Sequence, residues 1–307
     1  MATLPSLFRR LRNGADPLPS PPAPRRVSAP PGARHCVLLV LDSCRFDSFA
    51  AAQPRVMSRL GPLQRRYAYA TWTAPSHYNL LMGLLPHPSP TQVFASDHYK
   101  QDFLAWGSRL GLPDLSFVGM LPRIWLPQYL QSIGYETRAL VSMPVLNPDT
   151  PLAVNFDQYT LMEKHNDLDA MVERLRFPVD RPSFTLLNAG ETHYPYAPIE
   201  EPESDWPRVH GVNGVFKSLA AGAPLHQSEA PAFFDQDRLD RLRDRQVAVI
   251  QRVDRSVERL LDRVPRGTWV IITADHGELF GEGGYFGHGP ILHDKVLEVP
   301  FLEGLAR

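Results

Sequence analysis

The chain reads as an α/β protein built on a mostly parallel central sheet with helices packed on its faces. Three observations predict this. Short apolar runs of strand length alternate with helical periodicities, which is the order of βαβ units. The 307 residues allow a substantial core in one large domain. The residues best suited to chemistry, Asp42, Thr73, Asp275 and His276, fall just past strand-like segments. The C-terminal strand ends of a parallel sheet are where a ligand crevice forms.

The first 34 residues stand apart as a disordered Pro/Arg-rich tail, because Pro17-Leu18-Pro19-Ser20-Pro21-Pro22-Ala23-Pro24-Arg25-Arg26 cannot pack as a regular element. Ahead of it, Leu4 to Arg12 is a short basic amphipathic piece of a kind that touches membranes or partners. Its shortness favours a solvated tail. From residue 35 the elements follow in order. Cys36–Leu41 is a buried strand. A strand is expected at 66–70 and a helix at 76–84, where Ser76 is placed to cap the helix after Pro75. That puts Thr73 near a helix start, where backbone N–H groups and the dipole favour an anion. The stretch 88–122 has no clear period and reads as an insertion lining a pocket entrance, as does the Gly/Ala/Pro-rich 202–231. A helix at 126–133 leads into a strand at Glu136–Val141, and further strands are expected at 183–188 and 268–273. A long helix lies within 235–264. There Leu239, Leu242, Val247, Ile250, Val253, Val257, Leu260 and Leu261 recur at helical spacing, and the Arg and Asp between them form a solvated face.

Asp42 closes the apolar run Val37-Leu38-Leu39-Val40-Leu41, and Asp275-His276 follows a second run, Trp269-Val270-Ile271-Ile272-Thr273. Singly, each has a plainer reading: Asp42 as a helix cap, Asp275-His276 as an ordinary dipeptide, Thr73 as a surface threonine. Together, oxygen and nitrogen donors at strand ends suit a divalent cation. A metal beside a hydroxyl lowers its proton affinity and makes it a nucleophile. The expected cofactor is one divalent metal ion held by Asp42, Thr73, Asp275 and His276. Zinc or manganese stands ahead of magnesium or calcium, since the imidazole favours a transition ion over calcium.

Five segments in order extend this site: Val40-Leu41-Asp42-Ser43-Cys44-Arg45-Phe46-Asp47; Thr73-Ala74-Pro75-Ser76-His77 with Leu81-Met82-Gly83-Leu84-Leu85-Pro86-His87; Leu126 through Thr137; His193-Tyr194-Pro195-Tyr196; and Asp275-His276-Gly277-Glu278 with Gly287-His288-Gly289-Pro290 and Glu298-Val299-Pro300. From about Arg34 to the C-terminus the chain resembles the alkaline phosphatase superfamily, in particular its sulfatase-like branch. The resemblance implies a three-layer sandwich and a nucleophile at Thr73. It also implies that His193 and His288 contact the transferring group as catalytic residues. The departures matter as well. Formylglycine sulfatases need Cys or Ser at the position of Thr73, whereas threonine is the nucleophile in the phosphodiesterase and lipid-headgroup phosphotransferase branches. His288 stands where sulfatases have Lys, and is closer to the phosphoethanolamine transferases. Ser43 stands for the second Asp of the sulfatase pair, and the Asp-x-x-x-His pair that holds a second zinc has no counterpart, so one metal is expected. His77 replaces the sulfatase Arg and is a cation when protonated. Arg45 and Asp47 are expected to pair and brace the first loop, while His87 and His293 are read as structural. Residues 35–307 form a sulfatase-like catalytic domain lacking most of the usual C-terminal subdomain.

Composition agrees with an ordinary soluble enzyme. A net charge of −1 gives no reason to expect nucleic acid. The apolar runs are far shorter than the ~20 residues of a membrane span, and no secretory h-region is evident. Two cysteines do not make a disulfide framework, which makes a reducing cytoplasm the simplest setting. The expected function is hydrolysis of a small-molecule phosphate ester, ahead of a sulfate ester, through a phosphothreonine intermediate. The alternatives are a phosphotransferase moving a phosphoryl-linked group to an acceptor in a biosynthetic pathway, and a catalytically dead binding protein on the same fold. The early end of the domain leaves an open pocket, or one completed by a homo-oligomer or partner chain.

Overall fold

The computed structural model describes residues 31–89, 95–113, 115, 125–209 and 234–307. The tail at 1–30 and most of 202–231 lie outside the described residues. Seven strands form one sheet in the order β2-β9-β6-β1-β5-β3-β4. They are β1 (Cys36–Leu41), β2 (Gln64–Tyr67), β3 (Glu136–Val141), β4 (Gln158–Leu161), β5 (Ser183–Ala189), β6 (Trp269–Ala274) and β9 (Glu298–Leu305). A two-stranded ribbon, β7 (Leu279–Phe280) and β8 (Phe286–Gly287), stands apart. β6, β1, β5, β3 and β4 run parallel, and β9 runs antiparallel to both β6 and β2. The mostly parallel α/β sheet expected from the sequence is therefore present.

The pleat of β1 explains the three layers. Cys36, Leu38 and Val40 point to one face, and Val37, Leu39 and Leu41 to the other; all six are fully buried. The first face packs against α2 (Thr73–Leu81), α3 (Ala95–Leu110) and α4 (Leu126–Ser132) through Leu80, Trp106, Leu110 and Leu130. The second packs against α1 (Phe46–Ala52), α5 (Leu168–Arg174) and α6 (Gln236–Arg263) through Phe49, Met171, Ile250, Val253 and Val257. A last short helix, α7 (Asp294–Leu297), leads into β9.

Several expectations need correction. β2 begins and ends earlier than 66–70: Gln64–Tyr67 pairs with β9, and the chain leaves the sheet at Tyr69 to reach Thr73. α2 starts at Thr73 rather than Ser76, with Trp72 in extended conformation at its N-cap. Pro75 lies in the first turn, where its missing N–H costs nothing, so the proline does not delay the helix. Ser76 is inside the helix, and its hydroxyl donates to Ala70 O rather than capping. Within 88–122 the described part contains α3, held by buried Trp106 and Leu110. β9 was hidden by Pro300, since proline normally marks edge strands; here it sits between β2 and β6.

Cys36 and Cys44 are free and buried. Among the described residues no helix is long and apolar enough to cross a membrane. One carboxylate ties α6 to the turn that follows α1. Buried Asp254 accepts from Val56 N and Met57 N at 2.8–3.1 Å, satisfying the start of the turn Met57–Arg59. Asp254→Ala leaves those buried donors unpaired and is expected to lower stability by roughly 1–3 kcal/mol, read by chemical denaturation.

Candidate metal and nucleophile site

β1 and β6 are neighbours in register, Leu41 opposite Ala274. The next residue on each strand is therefore Asp42 and Asp275, side by side at the C-terminal edge. On the other flank β5 pairs with β1, Ala189 opposite Leu41, and Asn188 Nδ2 donates to Asp42 Oδ2 at 2.9 Å. α2 delivers Thr73, whose Oγ1 lies 3.4 Å from Asp42 Oδ1 and 3.3 Å from His276 Nε2. Asp42, Thr73, Asp275 and His276, which the sequence singled out, are thus brought together, each at most 5 % exposed.

The donor set fits a cation. His276 Nδ1 donates to Gly277 O at 2.8 Å, which leaves Nε2 as a bare acceptor. That Nε2 faces Asp275 Oδ2 at 3.3 Å, and Asp275 Oδ2 is buried with no hydrogen-bond partner. Acceptors held this close repel unless a proton or cation lies between them. One donor atom from each of Asp42, Asp275 and His276 falls within 4.8 Å of the others. The edges of 3.3, 3.3 and 3.4 Å among Thr73, His276, Asp275 and Asp42 match the ~3.3 Å edge of a tetrahedron whose corners lie about 2.0–2.1 Å from its centre.

Electrostatics point the same way. Burial pushes the Asp275 carboxyl well up, and the neighbouring Asp42 charge adds to it. Burial also opposes ionisation of Asp42, but His193, His276, His77 and the Asn188 amide outweigh it and hold its pKa down. The His276 imidazole is driven well down by burial and then by His288. A divalent cation would relieve the whole set by neutralising both carboxylates.

The loop after β7–β8 supplies His288. Its Nδ1 contacts Glu278 Oε1 at 2.8 Å, and Tyr196 Oη donates to Glu278 Oε2 at 2.9 Å. Burial lowers the His288 pKa, but the Glu278 charge and hydrogen bond outweigh this and raise it. The His288 ring lies 4.2 Å from that of His276 and 5.3 Å from that of His193, centroid to centroid. Thr71 is tied to Gly289 by two hydrogen bonds, one from Gly289 N at 3.1 Å and one from the Thr71 hydroxyl to Gly289 O. These bonds tie the segment that leads into α2 to the His288 loop. Gly277 is required by close approach: a Cβ there would lie 2.2 Å from Lys295 O.

Arg45 braces the first loop as expected, with Nε and Nη2 on Asp47 at 2.7 and 2.6 Å, and reaches Glu282 through Nη1 at 2.6 Å. His293 Nδ1 accepts from Lys295 N as the cap of α7, and His87 packs against Tyr69 and His98, so both are structural. His77 is buried, its Nδ1 donates to Thr73 O at 2.8 Å, and burial lowers its pKa against the pull of the Asp42 charge.

The sequence reading named Ser43 without its contacts and missed Thr192 and Gln246. Ser43 adopts φ 58°, donates its N–H to Asp275 Oδ1 at 3.1 Å and its hydroxyl to Asp42 Oδ1 at 3.3 Å. Thr192 Oγ1 donates to Asp42 O at 2.6 Å. Gln246, fully buried on α6, donates through Nε2 to both Ser43 O and Thr192 O at 2.9 Å. The available signal was its place in the helical stripe between Leu242 and Ile250, where an apolar residue is the norm.

No family model matches this chain, and no curated protein matches its sequence. Solved structures do resemble it. The C-terminal periplasmic domain of EcEptC from Escherichia coli is 14 % identical over 90 % of this chain and 73 % of that one, with a TM-score of 0.53. Its complex with Zn gives 15 % identity over the same shares and a TM-score of 0.52. A protein in the alkaline phosphatase superfamily from Vibrio parahaemolyticus is 15 % identical over 97 % of this chain and 67 % of that one, at a TM-score of 0.47. The likeness to the EcEptC domain extends over most of this chain and shows a shared fold.

Two outcomes test the site. Elemental analysis is expected to find about one divalent ion per chain, lost in Asp275→Ala; two tightly held ions would contradict the single centre. Gln246→Leu is expected to weaken metal affinity by about tenfold, within the ~10–100-fold range for residues that support metal ligands. Val253→Ala, a stability-matched change on the same helix, should leave that affinity unaltered in titration calorimetry.

Proposed function

We propose that this chain is a metal-dependent phosphoesterase that forms a covalent intermediate on Thr73. The observation that carries the reading is that Thr73 Oγ1 lies 3.4 Å from Asp42 Oδ1 and 3.3 Å from His276 Nε2, while Thr73 also lines a cavity of about 450 Å³ with His193 and His288. Zinc is favoured by the short tetrahedral edges and the nitrogen donor. When bound to Asp42, Asp275 and His276, the ion would supply positive charge to the Thr73 oxygen and the phosphoryl group.

The chain's own residues account for the remaining roles. The Thr73 hydroxyl proton is held toward Asp42 Oδ1. The Thr73 oxygen attacks phosphorus in line, forming one P–O bond as the bond to the leaving oxygen breaks. His288, fixed by Glu278 and Tyr196, donates a proton to the leaving oxygen, and His193 supports the non-bridging oxygens. The N–H groups of Thr73 and Ala74 in the first turn of α2 have no intrahelical acceptors, and they favour the anion. Water then attacks the phosphothreonine and regenerates the hydroxyl.

Thr73→Ala in metal-loaded protein is expected to abolish turnover of aryl phosphate esters without loss of fold. The loss could approach the ~10⁶-fold scale of a missing nucleophile. Thr73→Ser should keep part of the rate. Acid quench and peptide mass spectrometry should find the adduct on the peptide carrying Thr73. Normal turnover by Thr73→Ala would instead make solvent water the nucleophile, and an adduct on Ser76 would move the attack to that hydroxyl. Exchange of added alcohols into product, in place of water, would move the assignment to a transferase.

A further inference from the structure

Glu191 is a carboxyl that the proposed chemistry does not use, yet it lies on the segment that supports the site. It is only 7 % exposed. It follows β5 and sits between Gly190, whose carbonyl accepts from His193 N at 3.1 Å, and Thr192, whose hydroxyl donates to Asp42 O. Glu191 Oε1 accepts from Leu168 N at 2.5 Å, at the start of α5. The other oxygen, Oε2, is buried with no hydrogen-bond partner. A neutral carboxylic acid tolerates such a setting far better than a carboxylate does.

The neighbours decide which form is held. Asn166, Asp167, Asp169, Arg252 and Ser256 share with Glu191 a cavity of about 10 Å³, room for about one water. Two of these are acids. Asp167 caps Ala170 N through Oδ1, and Asp169 Oδ1 is buried without a partner. The cations that α6 brings to this side are committed elsewhere: Arg252 to Glu200, and Arg259 to Asp169 Oδ2 at 2.6 Å. Burial above all, and then the charges of Asp167 and Asp169, push the Glu191 carboxyl up to about 7. The hydrogen bonds from Leu168 N and from Glu191's own N–H pull the other way without prevailing.

We propose that Glu191 is a proton-dependent latch between α5 and residues 190–193: neutral, it keeps the cavity closed, and ionised, it draws water to Oε2 and parts the two. The folded chain keeps the Glu191 proton over a range where the unfolded chain has released it. The stability it contributes is therefore complete below the ordinary carboxyl value of 4.5 and is lost as pH rises through about 7. The latch concerns the segment that carries Thr192 and His193, and it holds whatever reaction the site performs.

The test is urea unfolding of the full-length, zinc-loaded protein across the weakly acidic to weakly alkaline range, beside Glu191→Gln. That variant keeps an acceptor for Leu168 N and cannot ionise. The folding equilibrium constant of the wild type, relative to the variant, is expected to fall by up to about tenfold per pH unit over this window, one proton being linked. Amide hydrogen exchange at Leu168 and His193, compared between the two proteins at each pH, should be faster in the wild type only on the alkaline side. Asp169→Asn removes one neighbouring charge and should move the wild-type transition to lower pH; it carries the test should Glu191→Gln fold poorly. Parallel pH dependences in the wild type and Glu191→Gln overturn the proposal. A stability difference with no change in exchange at Leu168 and His193 leaves an ordinary buried acid and overturns the latch. A difference abolished by millimolar calcium, in the wild type alone, makes the carboxylates a cation site and overturns it as well.

Discussion

The structure depends on two carboxylates being held side by side. β1 and β6 pair in register, so the residues that follow them, Asp42 and Asp275, must be neighbours. Both are essentially buried. Two such charges in a low-dielectric setting oppose each other and their own ionisation, and the balance is several kcal/mol unless a cation or proton intervenes. Asp275 Oδ2 is buried without a hydrogen-bond partner, and burial beside the Asp42 charge drives the carboxyl's pKa up, which suits a donor set for a cation. Cation binding is therefore coupled to the stability of the sheet's central edge as well as to chemistry.

The surrounding polar network reads as the means of tolerating that pair. Ser43 N and His276 N both donate to Asp275 Oδ1, and Asn188 and Ser43 donate to the oxygens of Asp42. Each bond orients an oxygen without discharging it. Ser43 can do this only from its left-handed conformation, which turns the chain sharply after β1. Such a conformation in a residue other than glycine costs on the order of 1 kcal/mol and persists where neighbours determine it. Here those neighbours are Asp275, Asp42 and Gln246.

Much of the fold was legible because its strands are short, apolar and separated by helical periods. β1 and β3 were located to the residue, and β5 and β6 nearly so. That Asp42, Thr73, Asp275 and His276 belong together was legible because they are donor residue types at the ends of apolar runs, and five ordered motifs reinforced them. The misses share a physical cause. β9 contains Pro300, β4 has little apolar character, and α3 hides its buried Trp106 and Leu110 among polar residues. α2 begins three residues before the expected start at Ser76, because a first turn accepts Pro75. Gln246, Asn188 and Thr192 were invisible because their function is defined by partners distant in sequence, and no periodicity records those.

α6 links core and site in one element. Its stripe of Leu239, Leu242, Val249, Ile250, Val253, Val257 and Leu260 is buried against the sheet and the ribbon, so its axial and rotational position is set by packing. Gln246 and Asp254 lie in the same buried stripe, two turns apart. One grips the loops after β1 and β5; the other grips the turn at Val56–Met57. Because apolar packing fixes the helix, those amide and carboxylate contacts act as rigid rulers rather than adjustable tethers. A shift of α6 by one residue would turn Gln246 away from both carbonyls and leave Ser43 O and Thr192 O without that donor. The geometry around Asp42 is thus maintained from beneath by hydrophobic burial, which holds a strained loop and two buried carboxylates in place.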